Sequence, residues 1–193
     1  MITSELTQAQ TELRYSYRSA SVGQIYAGTV WLVSAVVWIA ADNTVGVLVL
    51  LIGGFFIYPV TTLASRLLGN PGSVPPANPL REASIAIPVV GALCIPVVGA
   101  AALYDINWFY PAFMVVMGAH YLPFSHLYGM RIFVPLGAAM WLAGLSIGLW
   151  APAWSAVGAL LTGAALMWVG ARAAIDYRRE FSRSTAGQPS WGQ

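Results

Sequence analysis

Apolar residues run along this chain in six long blocks, at roughly 22–41, 45–68, 83–104, 108–129, 132–150 and 153–173. Each block is close to the roughly 20 residues that a helix needs to cross a hydrocarbon core about 30 Å thick. The breaks between them are polar or turn-forming: Asp42-Asn43, a Pro-rich stretch at 69–81, Asp105-Ile106-Asn107, Gly129-Met130-Arg131 and Ala151-Pro152. The pattern predicts an all-α polytopic membrane bundle of about six transmembrane helices, filling residues 21–175. Ahead of it, Ile2, Leu6, Ala9, Leu13 and Tyr17 recur near helical spacing, with Ser4-Glu5 as a plausible helix start. Residues 1–20 therefore read as an amphipathic helix lying on the cytoplasmic face. The first 19 residues lack the apolar core of a cleaved signal, so the first block is expected to be a retained span. Residues 176–193 read as a cytoplasmic tail, and Ser182 to Gln193, without periodicity, as disordered.

Composition and charge agree with this reading and orient it. Only 8% of residues are charged, 58% are hydrophobic and the mean hydropathy is +0.69, whereas a soluble domain carries about 25% charged residues. A net charge of +2 is too small to imply nucleic-acid binding, so the expected partner is the lipid bilayer. All nine basic residues are arginines, and with six crossings every one falls on the side of the termini, against Asp42 and Asp105 opposite. The positive-inside rule then places both termini in the cytoplasm, in a multi-pass protein of the cytoplasmic membrane. Trp38, Tyr104, Trp108, Tyr110, Trp150 and Trp154 would mark the outer interface, and Tyr15, Tyr17, Tyr128 and Tyr177 the inner one. Trp31 and Trp141 read as bundle filling. The single cysteine, Cys94, excludes an intrachain disulfide and reads as a buried, inert thiol.

Prolines interrupt several blocks. The third contains Ile87-Pro88-Val-Val-Gly-Ala92 and, eight residues later, Ile95-Pro96-Val-Val-Gly-Ala100, and the fourth contains Pro123. Each proline deletes a backbone hydrogen bond and clashes with the carbonyl four residues earlier. Kinked helices could frame a cavity or permit gating, or the prolines could reflect only their general frequency in membrane helices. Gly144 and Gly148, and the row Ser155, Ala159 and Gly163, would let helix backbones approach closely, within one chain or between copies in a homo-oligomer.

The stretch from Met117 to Arg131 holds both histidines. Counting back from Arg131 at 1.5 Å per residue, His126 lies roughly 8 Å deep and His120 about 16 Å deep, about 120° apart on an ideal helix. Ionisable groups at such depth are costly and mark functional segments. His120, Phe124, Leu127 and Arg131 share one stripe, and Met117, Tyr121, Phe124 and Tyr128 its neighbour. This face reads as a polar-lined pocket open to the cytoplasm, with His120, Tyr121, Phe124, Tyr128 and Arg131 as ligand-binding candidates. A histidine bonded to a neighbouring helix, with Arg131 as an interfacial anchor, is the plainer alternative. Two histidines, one cysteine and no acidic residue at depth fall short of a metal site, and no cofactor is implied.

The run Gly118-Ala-His-Tyr-Leu-Pro-Phe-Ser-His-Leu-Tyr-Gly129 resembles the G-A-H-x-x-P-F/Y-x-x-L-Y motif of a family of small bacterial multi-pass membrane proteins of unknown function, the DUF7010 type. Gly118, Ala119, His120, Pro123, Phe124, Leu127 and Tyr128 would be its shared positions, and His126 falls outside it. The resemblance implies a fold and a marked segment without a mechanism. Three functions compete. The first is binding or transport of a small molecule, lipid or proton near His120. The second is a membrane scaffold or assembly subunit using the small-residue rows. The third is an intramembrane enzyme with His120 as general base, ranked lower because acid–base work needs a second positioned group.

Overall fold

Helices form where the apolar blocks lie, and the breaks follow the prolines and turn residues. The computed structural model describes residues 2–181, among which there is no strand. The helices are α1 (Ile2–Ser16), α2 (Ser21–Ala40), α3 (Asn43–Phe55), α4 (Ile57–Leu67), α5 (Arg81–Leu93), α6 (Ile95–Tyr104), α7 (Phe109–Tyr128), α8 (Phe133–Trp150) and α9 (Ser155–Phe181). The second block is therefore two helices, bent by 49° at Phe56. Pro59 accounts for the position of the bend: it has no N–H to give the Phe55 carbonyl. Pro96 does the same to the Ala92 carbonyl, and the third block divides at Cys94. Pro88 and Pro123 are carried inside α5 and α7 without ending them.

Four stretches are long and apolar enough to cross a membrane: Arg18–Ala40, Arg81–Tyr104, Phe133–Trp150 and Pro152–Phe181. The bent α3–α4 pair makes a fifth if it is one span. By length and composition these helices are compatible with a membrane protein. The expected fourth span, α7, is 20 residues long but not among them. Two histidines, three tyrosines and two prolines dilute its apolar character, and the neighbouring helices bury many of these groups.

Two close helix pairs form the centre. On α2 and α9, a Cβ added to Gly28 would lie 2.7 Å from the Gly163 carbonyl, and one on Gly163 2.9 Å from the Gly28 carbonyl. On α7 and α8, Gly118 and Gly137 face each other in the same way at 2.7 and 2.6 Å, and Gly144 meets the Pro111 carbonyl at 2.6 Å. No side chain fits at such distances, so these positions require glycine. Gly148 abuts Trp108 and Pro111, and Ser155 and Ala159 are fully enclosed. Both small-residue rows therefore pack inside the chain.

Between the pairs lies an aromatic core. Trp38 and Tyr110, expected at the outer interface, pack in a tilted pair inside it at 4.9 Å, while Trp31 meets Phe113 at 5.5 Å. Tyr110 can be buried because its hydroxyl shares a 2.7 Å hydrogen bond with Ser34, whose own hydroxyl donates to the Gly46 carbonyl. Trp141, expected in the core, is exposed, as are Tyr104, Trp150 and Trp154.

The termini of the bundle also differ from expectation. The apolar side of α1 rests on the bundle, with Ala9 and Leu13 buried, rather than lying alone on a membrane. The inner tyrosines Tyr17, Tyr128 and Tyr177 are buried, not displayed at an interface. Cys94 is half-buried. α9 continues to Phe181 as one helix, so no element boundary falls near residue 175. The expected disordered tail, residues 182–193, lies outside the described residues.

Candidate functional site

The arginine-bearing end of the bundle is where distant parts of the sequence converge. α7 stops at Gly129, which takes the left-handed conformation (φ 64°) of a helix C-cap. A Cβ there would also lie 2.6 Å from the Gln10 Oε1. Two α1 side chains satisfy carbonyls that the end of α7 leaves open. Gln10 Nε2 donates to the His126 carbonyl at 2.6 Å, and Arg14 Nη1 to the Tyr128 carbonyl at 2.8 Å. Arg14 also grips Glu180 on α9, with Nη2 to Oε1 at 2.7 Å and Nε to Oε2 at 3.1 Å.

Next to this knot is a shallow, open cleft of about 320 Å³ lined by Arg14, Gly129, Met130, Arg131, Ile132, Asp176 and Glu180. Arg14 is neutralised by Glu180, and Asp176 lies 3.6 Å from Arg172. Arg131 is exposed and has no partner among the described residues.

The other half of this end is a strap, residues 69–80, tied to α1, to the turn at 18–20 and to α9. Asn70 accepts from Arg18 Nη1 at 2.9 Å and donates to the Tyr15 carbonyl and, at 2.5 Å, to the Tyr177 hydroxyl. The Arg18 guanidinium lies 4.6 Å over the Tyr177 ring. Asn78 donates to the Ala9 carbonyl and to Glu12. These ties hold Arg18, Ser19 and Ala20 at φ 51°, 55° and 61°. Each non-glycine residue in that region costs on the order of 1–2 kcal/mol, so the turn persists only because its surroundings fix it. Burial and a hydrogen bond with Tyr58 push the Tyr17 phenol well above its ordinary range, which keeps it protonated.

The predicted pocket residues divide into two groups. His120, Tyr121, Phe124 and Tyr128 come together, but around Phe133 of α8. Phe133 lies 6.0 Å from Tyr121, 5.8 Å from Phe124 and 5.9 Å from Tyr128 between ring centres. The Tyr121 hydroxyl donates to Gln24 Oε1 on α2 at 3.0 Å. His120 packs on Phe124 at 4.8 Å and turns to Gly91 of α5. Its Nδ1 lies 3.0 Å from where a Gly91 Cβ would be. Arg131 is not brought to these rings, because it stands beyond the Gly129 turn in the cleft. His126 is exposed, and only its carbonyl is used. Among the described residues no three potential metal ligands gather.

Sequence reasoning missed Arg14, Gln24, Gly91, Phe133, Asn70 and Asn78. Of these, Asn70 and Asn78 carried a signal, as polar residues in a Pro-rich loop able to satisfy foreign backbone groups.

A family model described as a family of unknown function (DUF7010) matches residues 6–173. The chain belongs to this family. No curated protein and no solved structure matches it. The DUF7010 match starts within α1 and takes in the strap, the His120 segment and most of α9. The match takes in Arg14, Asn70 and Arg131 of the arginine end and stops short of their α9 partners Asp176, Tyr177 and Glu180.

Proposed function

We propose that this protein is a multi-pass protein of the cytoplasmic membrane which holds the anionic headgroup of a lipid, or of a small amphiphile, in the Arg131 cleft. The observation that carries this reading is the exposed guanidinium of Arg131, without a partner among the described residues, beside charges already neutralised by one another. A planar guanidinium is suited to a phosphate or carboxylate, which it can bind through two parallel hydrogen bonds. His120, Tyr121, Phe124 and Tyr128 support the site from beneath, by fixing the turn that presents Arg131.

Topology supports the cytoplasmic placement. The C-terminus of α7 is tied to α1, and its N-terminus follows Asp105, so α7 runs between opposite ends of the bundle. Counting it gives six crossings, with both termini on the arginine side and inside the cell. At the far end Asp42 caps α3, accepting from the Thr44 and Val45 N–H groups. The assembly alternative loses the surfaces on which it rested, since Gly144, Gly148 and Gly163 are filled from within the chain.

Native mass spectrometry from mild detergent tests the reading. With equal phosphatidylglycerol and phosphatidylcholine, the protein is expected to retain the anionic lipid preferentially. Arg131→Ala should lower that retention about fivefold, the value of one arginine near a charged surface. Equal retention of phosphatidylglycerol by both proteins would overturn it.

A further inference from the structure

We infer that the lipid headgroup held in the Arg131 cleft carries a primary ammonium beside its phosphate, as phosphoethanolamine does, and that Asp176 accepts hydrogen bonds from that ammonium. This deepens the proposed function and rests on it. The cleft is lined by two arginines, Arg14 and Arg131, and two carboxylates, Asp176 and Glu180. Arg14 and Glu180 engage each other through contacts of 2.7 to 3.2 Å. That leaves one group of each sign for a ligand: Arg131 in the turn between α7 and α8, and Asp176 on α9.

Asp176 keeps its hydrogen-bonding capacity. Its Oδ1 lies 3.6 Å from the Arg172 Nη2, too far for a hydrogen bond, and the carboxylate accepts none among the described residues. An ionised carboxylate can accept about four. A headgroup with only negative charge would share the cleft with this carboxylate and be repelled by it. An ammonium next to the phosphate turns that repulsion into charge-assisted hydrogen bonds, which a quaternary ammonium, having no N–H, cannot make. Size agrees: about 320 Å³ lies at the lower end of small-molecule sites, about 300–1,000 Å³, and suits a headgroup without its acyl chains. An apolar path for those chains begins at the cleft wall. Met130 and Ile132 flank Arg131 there, and α8 beyond them leaves Val134, Leu142 and Leu145 exposed.

Native mass spectrometry with equal phosphatidylethanolamine and phosphatidylcholine tests this, because the two lipids share a phosphate and a net charge and differ in their N–H donors. The natural protein should retain phosphatidylethanolamine in preference. Asp176→Ala should lower the ratio of the two retained lipids about threefold, the scale of an ion pair between exposed groups. Arg131→Ala should reduce retention of both and leave their ratio in place, so the phosphate and ammonium contacts read out separately. Equal retention of the two lipids by the natural protein, or a ratio unmoved by Asp176→Ala, overturns the ammonium seat and leaves the Arg131 reading standing. Glu82→Gln removes an exposed carboxylate on α5, outside the cleft, and should not move the ratio. An equal shift there would mean a general surface effect and would also overturn the proposal. Soluble glycerophosphoethanolamine at the same concentration should not displace phosphatidylethanolamine. Displacement would assign the site to a free solute and overturn the lipid.

Discussion

The α7–α8 pair and the α5–α6 rod make opposite use of their composition. Arg81–Tyr104 is the most apolar of the candidate spans and the least buried, while α7, too polar to be counted with them, lies against α1, α2, α5, α6, α8 and α9. In water the more apolar element would be buried. In a membrane lipid tails compete equally well for apolar surface, so helices associate through close packing and hydrogen bonds. Gly118 and Gly137 give α7 and α8 the first. Gln24 with Tyr121, and Ser34 with Tyr110, link α2 to α7 by the second. The rod has little of either, apart from the contact with His120.

Gly118→Leu attacks the comparison at its strongest point and should have the largest effect. The new side chain would begin 2.6 Å from the Trp141 backbone nitrogen and 2.7 Å from the Gly137 carbonyl. Backbone cannot step aside as a side chain can, so α7 and α8 must separate. The expected cost exceeds about 4 kcal/mol, which is exceptional for one substitution and would appear as loss of monodisperse protein after detergent extraction. A well-folded variant would show that the pair is not the rigid half of the molecule.

Asn70→Ala should come next, at about 2 kcal/mol. It removes an acceptor from Arg18 and donors from the Tyr15 carbonyl and Tyr177 hydroxyl, and a hydrogen bond to a charged group is itself worth about 1.5–3 kcal/mol. The left-handed turn at Arg18–Ala20 would then lose the contacts that pin it. A melting temperature lower by several degrees in detergent, with alkylation of Cys94 by N-ethylmaleimide unchanged, would separate this clamp from the rod. A lower melting temperature together with faster Cys94 alkylation would join them.

Helices were legible from the sequence because the apolar blocks are long and end at Asp, Pro and Gly. The histidine segment was legible too, because ionisable groups at depth stand out. What was not legible is which neighbour each side chain meets. Spacing put His120 and Arg131 on one stripe, but the chain turns at Gly129 and sends Arg131 away from the rings. Trp38 and Tyr110 were read by depth alone, and a hydroxyl partner on Ser34 drew them inward. The strained turn at 18–20 carries no glycine to announce it, since the restraint comes from Asn70 some fifty residues on.

Gly99→Leu on α6 should have the smallest effect and is the sharpest test of the rod. A Cβ there meets nothing within 4 Å, whereas the glycines of the α7–α8 pair have none of that space. Its φ lies outside the left-handed range, so leucine brings no backbone strain and gains helix propensity of about 0.5–1 kcal/mol over glycine. The melting temperature in detergent should be unchanged or slightly raised, as for other substitutions that touch nothing. A fall of several degrees would mean that the α6 face is covered by something beyond the isolated chain, a second copy above all, and would turn the loose half of the comparison into an interface.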